Sequence, residues 1–315
     1  MNALSTNVLG ERGDALFVAA DHLQYAMAGV VFEYNGSGIF AEALRDGARS
    51  KHMVRNRPPD VRVQIIHDEP KPLVGQVLYT DLLWRLVRSD GWEQIVFAWP
   101  DVNAEPVMCA TRHARDNAWT YFFGQAAERY LHQKNIRHHY ILPGGLVFEM
   151  VVVMQQLLQR GGLVFHASAV RLGGDALIFA GVSGRGKTTI SNLWTESGYP
   201  VLAEESIAVL PCSGAWQCSG LPWGSRKEVA DATPARLRAI YLLRHDAQNV
   251  ATPLTRARAF EAMMQVAFLP YWDRAELEKA LACLESLASQ VEVFDLGFAP
   301  DARVVSMLKG AENEK

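Results

Sequence analysis

Apolar positions along this chain fall mostly in short runs, and a few stretches repeat every three or four residues. Short runs bounded by turn residues predict strands. In the first half these are residues 15–20, 30–34, 61–67 and 94–98, with Arg57-Pro-Pro-Asp60 and Pro100 as breaks. Residues 78–88 alternate and read as one more strand rather than a short helix. Residues 117–133 carry Trp119, Phe122, Phe123, Ala126, Ala127 and Leu131 at helical spacing and predict a helix.

Near Pro143-Gly144-Gly145 the pattern changes. Residues 146–160 are strongly helical, and Gly161-Gly162 ends them. Residues 163–172 read as a strand, Gly173-Gly174-Asp175 as a turn, and 176–180 as a wholly apolar strand returning antiparallel. A helix follows over 187–197, with Ile190, Leu193 and Trp194 on one face and Gly198 as its stop. Further strands are expected at 200–203, 207–210, 237–243 and 291–296, helices at 255–268, 273–288 and 300–308, and a rigid turn at 220–225. The fold class is therefore α/β, read as an α+β N-terminal domain (1–142) and an α/β domain (143–315).

The segment between the apolar strand and the helix carries the sharpest chemistry. Residues 181–188 read Gly-Val-Ser-Gly-Arg-Gly-Lys-Thr, a complete G-x-x-x-x-G-K-[ST] pattern in the strand–loop–helix setting it requires. Gly181, Gly184 and Gly186 permit tight turns and close backbone approach, and Ser183, Arg185 and Thr189 complete the loop. Loop amides and the helix N-terminus converge on phosphate oxygens. Lys187 reaches the β- and γ-phosphates, and the Thr188 hydroxyl ligates Mg²⁺. The expected ligands are ATP or another nucleoside triphosphate, and Mg²⁺.

Two further features lie close by in sequence. Glu204 and Glu205 end an apolar run after the helix; one carboxylate could hold Mg²⁺ and the other accept a proton. Two solvated loop acids are the alternative. His166 interrupts Leu-Val-Phe-His-Ala-Ser-Ala-Val. It is either a core hydrogen-bonding group or a residue facing the site beside the loop.

Composition narrows the classes. Apolar residues make up 49 % and charged residues 21 % of 315, a globular balance. A net charge of −3 argues against a general nucleic-acid binder. No apolar stretch is long enough for a membrane span, and the N-terminus lacks a signal-peptide pattern, so a cytoplasmic location is expected. Cys109, Cys212, Cys218 and Cys283 form no C-x-x-C pair and read as reduced thiols. His138-His139 read as surface or packing residues, and the N-terminal aromatics (Tyr25, Phe32, Tyr34, Trp84, Trp92, Trp99, Trp119, Tyr121) as core.

Together, Phe165-His166-Ala167, the loop 181–188 and Leu202-Ala203-Glu204-Glu205 resemble the HPr kinase/phosphorylase group, a phosphoenolpyruvate-carboxykinase-like P-loop class. His166 lies 21 residues before Lys187, and the two glutamates 17 and 18 after it. The resemblance is specific over 161–210, looser through 220–225 and 268–301, and absent from the first 140 residues. It is nearer to related proteins of unassigned substrate than to the HPr enzyme. It implies a mixed sheet with a hairpin feeding the loop, Glu205 as proton acceptor from a substrate hydroxyl, Glu204 as a metal ligand and His166 in the active site. The family's Asp-Asp is Glu-Glu here, its glycine after the histidine is Ala167, and its Glu-Ile-Arg-Gly segment has no counterpart. Glu228 is the substitute metal ligand, and Arg226 and Arg244 the candidates for charge stabilisation.

The expected activity is an ATP- and Mg²⁺-dependent kinase acting on a hydroxyl of a protein, peptide or small molecule. A nucleotide-binding regulator without transferase activity and a hydrolytic ATPase are the alternatives. Partners are a nucleotide and an unidentified phosphoacceptor, with a homo-oligomer left open.

Overall fold

A computed structural model describes residues 21–36, 51–81, 84–98, 106–114, 116–125, 127, 146–223 and 231–310. Two nine-stranded sheets dominate the described residues, with few helices beside them, so the fold is mixed α/β. The first sheet comprises β1 (Asp21–Met27), β2 (Val30–Gly36), β3 (Met53–Val54), β4 (Val61–Ile66), β5 (Gln76–Thr80), β6 (Trp84–Ser89), β7 (Trp92–Ala98), β8 (Pro106–His113) and β9 (Ala118–Phe123). Their order is β3-β1-β2-β4-β9-β8-β7-β6-β5. β4 buries Val61, Val63 and Ile65 and exposes the residues between them, the period of a strand with one wet face. The β1–β2 and β6–β7 hairpins turn on Ala28-Gly29 and Asp90-Gly91, all four at positive φ, the backbone that matches a two-residue turn to strand twist.

Several expectations are corrected here. Residues 118–123 form a strand, not the start of a helix: Trp119, Tyr121 and Phe123 point into the core. Residues 78–88 belong to two strands, β5 and β6, paired antiparallel. β1, β3 and β8 lie where no strand was expected. Six of the eight N-terminal aromatics are buried, but Trp92 is 46 % exposed. Residues 15–20, His138-His139 and Trp99 lie outside the described residues.

Helix α1 (Leu146–Gln159) follows, and Val151–Leu158 is buried at every position. A helix buried on all sides needs neighbours on all sides. Phe148, Val151, Val152 and Leu157 join the core of the first sheet, and the Phe148 ring packs edge-on against Trp119 and Tyr121. Leu158 belongs instead to the core of the second sheet. Glu149, also buried, accepts a hydrogen bond from Tyr34 Oη at 2.8 Å and from Trp223 Nε1 at 2.9 Å. Both carboxylate oxygens thus have donors, which is what makes a buried acid tolerable.

The second sheet comprises β10 (Leu163–Phe165), β11 (Ala167–Leu172), β12 (Asp175–Ala180), β13 (Val201–Ala203), β14 (Ile207–Cys212), β15 (Ala215–Gly220), β16 (Ala235–His245), β17 (Val250–Pro253) and β18 (Glu292–Phe298). β11 and β12 form the expected antiparallel hairpin. β12, β16 and β18 run parallel, so their C-terminal ends share one edge. The helices are α2 (Lys187–Glu196), α3 (Arg256–Met264), α4 (Arg274–Gln290) and α5 (Arg303–Gly310). Thr255 and Asp273 cap α3 and α4 through their side-chain oxygens. Residues 163–172 are not one strand: the chain breaks at His166. β15 and β17 are additional strands, and the expected turn at 220–225 is described only to Trp223.

Candidate functional site

The glycine-rich loop sits at the edge where the three parallel strands end. β12 stops at Ala180, residues 181–186 make the loop, and α2 starts at Lys187. Gly184 and Gly186 have φ of +82° and +95°, where a Cβ is strained. A Cβ on Gly186 would also stand 2.7 Å from Phe298 Cζ. Gly186 is the N-cap of α2 and brings no side chain to it, so the first helical amides have no side-chain acceptor. The backbone here is shaped for an anion: glycines give room, and uncapped amides give donors.

Lys187 is buried, and its Nζ donates to the Gly181 carbonyl at 2.8 Å. Burial pulls the Lys187 pKa below its ordinary value, and the nearby Glu205 charge acts in the opposite direction. An ammonium held on a loop carbonyl is available to exchange that partner for a phosphate oxygen. Ser183, Gly184, Arg185, Thr188 and Thr189 are exposed around the same loop.

His166 and Glu205 meet at a corner of the sheet. Residues 163–165 pair antiparallel with 207–209, and Ala169 and Val170 pair with Ala203 and Val201. The two chain segments thus run side by side, and both interrupt their pairing together, one at His166 and the other at 204–206. Broken pairing releases backbone groups to side chains. The Glu205 carbonyl accepts from Ala167 N at 3.2 Å and from His166 Nδ1 at 3.0 Å. A carbonyl only accepts, so Nδ1 carries the proton, and the neutral ring has its lone pair on Nε2. Glu205 Oε2 lies 3.5 Å from the same Nδ1, with both side chains a little over a third exposed. The Phe268 ring stands edge-on to the imidazole, and His166 N donates to the Val266 carbonyl at 2.8 Å.

The other sequence candidates separate. Glu204 is 5 % exposed, turned inward while Glu205 is half-buried. Arg244 Nε donates to Asp295 at 2.7 Å, and its other end pairs with Asp246. These contacts hold the Arg244 pKa above its ordinary value. Its guanidinium is engaged with two acids. Arg226 and Glu228 lie outside the described residues. Among the described residues no group of three His, Cys, Asp or Glu side chains is arranged to hold a metal. Mg²⁺ keeps several waters and takes one or two carboxylates beside substrate phosphates; Thr188 exposes a hydroxyl for such a set, while Glu204 is buried. All four cysteines are free thiols, and no described helix is long and apolar enough to cross a membrane.

Sequence reasoning missed His245. It ends β16, and its Nε2 bonds the Gly184 carbonyl at 2.8 Å. No spacing motif signals it, because its partner is main chain. Phe298 and Phe268 were missed for the same kind of reason: each is an apolar residue whose role is contact with a particular backbone or ring.

No protein-family model matches the chain, and no curated protein matches it. Among solved structures, the chain is similar to the Hpr(Ser) kinase/phosphatase from Coxiella burnetii, with a TM-score of 0.30 and 7 % sequence identity. The matched region covers 48 % of this chain and 95 % of that one. At this level the similarity assigns neither a fold family nor any residue's role.

Proposed function

We propose that this chain is an ATP- and Mg²⁺-dependent phosphotransferase acting on a hydroxyl group. The observation that carries the reading is one arrangement: a buried lysine closing a glycine loop, within electrostatic reach of a glutamate bonded to a histidine. In this reading the amides of 181–189 and Lys187 bind the triphosphate, and Thr188 with Glu204 would hold Mg²⁺. The bound ion supplies positive charge against the phosphate oxygens. Glu205 takes the acceptor's proton as its oxygen bonds the γ-phosphorus, and the β–γ bridging bond breaks to release ADP. His166 holds the Glu205 backbone through Nδ1–H, with the carboxylate 3.5 Å from the same nitrogen. The second sheet with its loop is then the catalytic part, of phosphoenolpyruvate-carboxykinase-like type, and the first sheet is available for the acceptor or a partner.

Phosphate transfer from γ-labelled ATP to an acceptor panel tests this. Glu205→Gln is expected to lower transfer by about 10²–10⁴-fold with nucleotide affinity nearly unchanged. Unchanged turnover in that variant would end the proton-acceptor role. A second reading has its own support. Arg244 is held by two carboxylates and is not free to stabilise a transferring group. A nucleotide-binding regulator needs no such charge, and binding with neither transfer nor phosphate release would favour it. Release of free phosphate without any acceptor would instead favour a hydrolytic ATPase.

A further inference from the structure

We infer that His245 is a positioning residue for phosphate binding, which holds the Gly184 carbonyl outward so that the next amide faces into the loop. The inference rests on the reading that the loop takes a triphosphate. β16 is 11 residues long, and its register sets Leu242 beside Ala180, the last residue of β12. Leu243, Arg244 and His245 therefore run on beside the loop after β12 has ended. A Cβ on Gly181 would be 3.6 Å from Leu243 Cβ, which places that overhang against the start of the loop. On the far side β18 sets Phe298 opposite His245, and Phe298 lies under Gly186.

The base of His245 is fixed. Arg244 is clamped by Asp295 and Asp246, and Asp246 N donates to the Phe298 carbonyl at 3.2 Å. The imidazole thus reaches the loop from a rigid strand end. Its Nε2 is 2.8 Å from the Gly184 oxygen, and since that oxygen only accepts, Nε2 is the protonated nitrogen. The neutral ring and the imidazolium both make this bond.

The consequence lies in the peptide between Gly184 and Arg185. In a trans peptide the carbonyl and the following N–H point in opposite directions. With the Gly184 oxygen drawn to His245, the Arg185 N–H is turned to the opposite side, where it donates to the Val182 carbonyl at 3.2 Å. That bond is at the long end of the ordinary range, and an anionic phosphate oxygen is a stronger acceptor for the same N–H. Gly184 has φ of +82°. That peptide turns about ψ of Gly184 and φ of Arg185, and glycine, with no Cβ, restricts the first of these least, so a contact on the carbonyl is what selects one face. The His245 bond makes that selection before any ligand arrives, lowering the ordering cost of binding.

The test is calorimetric titration of the full chain with a non-hydrolysable ATP analogue and Mg²⁺, alongside thermal melting. Exposed His245 has no core role, so His245→Ala is expected to keep the wild-type melting temperature. It is expected to weaken binding about tenfold, the worth of one selected hydrogen bond. His245→Gln carries an N–H at a similar reach and is expected to recover most of the loss. Wild-type affinity in the alanine variant, or an equal loss in both variants, overturns the positioning role. If the wild-type chain itself fails to bind the analogue, the triphosphate reading falls, and this inference with it.

Discussion

A polar cluster of the first sheet and the loop edge of the second handle their polar side chains in opposite ways. In the first, Glu93 and Arg112 are buried and their polar atoms are engaged by neighbouring side chains. Glu93 gives one oxygen to Arg88 and the other to Arg112, and Arg112 also donates to Gln155 of α1 at 2.8 Å. The Arg112 guanidinium lies 4.6 Å from the centre of the Trp119 ring. In the second sheet, at the shared strand edge, Lys187, His166 and His245 are bonded to backbone carbonyls. A carbonyl is a partner that an incoming anion or acceptor can replace or exploit. A saturated ion network has nothing left to offer a ligand. The contrast supports placing the proposed chemistry at the loop edge.

The sharpest way to break this contrast is to open the saturated network. Glu93→Ala leaves Arg112 buried without its carboxylate, which is expected to cost about 3–5 kcal/mol in urea unfolding. Nucleotide affinity of the folded protein should stay unchanged, and a matched loss of affinity would show that the network belongs to the site. Next is Lys187→Ala, expected to weaken triphosphate binding by roughly 100-fold, as removal of a charge-assisted contact does. Urea stability should hold, because the lost carbonyl bond is offset by removal of an ammonium that burial disfavours. The smallest effect is in the thiols. Burial pushes Cys218 up to about 12 and Cys109 up to about 11. Burial disfavours the thiolate, so both stay protonated through neutral and mildly alkaline pH. Iodoacetamide at about pH 8 is expected to modify exposed Cys212 first, and mass spectrometry of native protein reads the order. Early modification of Cys109 or Cys218 would mean that their cores open readily.

Much of the loop's neighbourhood was legible in sequence, because each position there answers a local demand. Glycines at 184 and 186 are required by positive φ, and the hairpin before the loop by its Gly-Gly turn. His166 and Glu205 were legible as polar interruptions of apolar runs, and both stand where strand pairing breaks. Residues 117–133 misled for a physical reason. β9 lies inside its sheet, with Trp119, Tyr121 and Phe123 on one face and Phe122 packed with Val87, Val96 and Cys109 on the other. Apolar residues on both faces erase the alternation that marks a strand, and the helical period holds only beyond β9, where Gln125 and Ala127 are helical. β15 was hidden by composition, since Gln217, Ser219 and Gly220 are weak strand formers. The His245 contact had no signature at all: a side chain meeting a carbonyl 61 residues away follows no spacing rule.

Helix α1 has a consequence for how the chain can be divided. By sequence it opens the second half, yet Phe148, Val151 and Val152 lie in the core of the first sheet, and Glu149 is tied to Tyr34 there. A fragment beginning at Leu146 would carry the whole loop and its corner. It would also present those side chains, and a carboxylate missing one donor, to water. An exposed apolar stripe of that kind drives self-association. The first sheet thus covers an apolar stripe that the half holding the proposed site would otherwise expose.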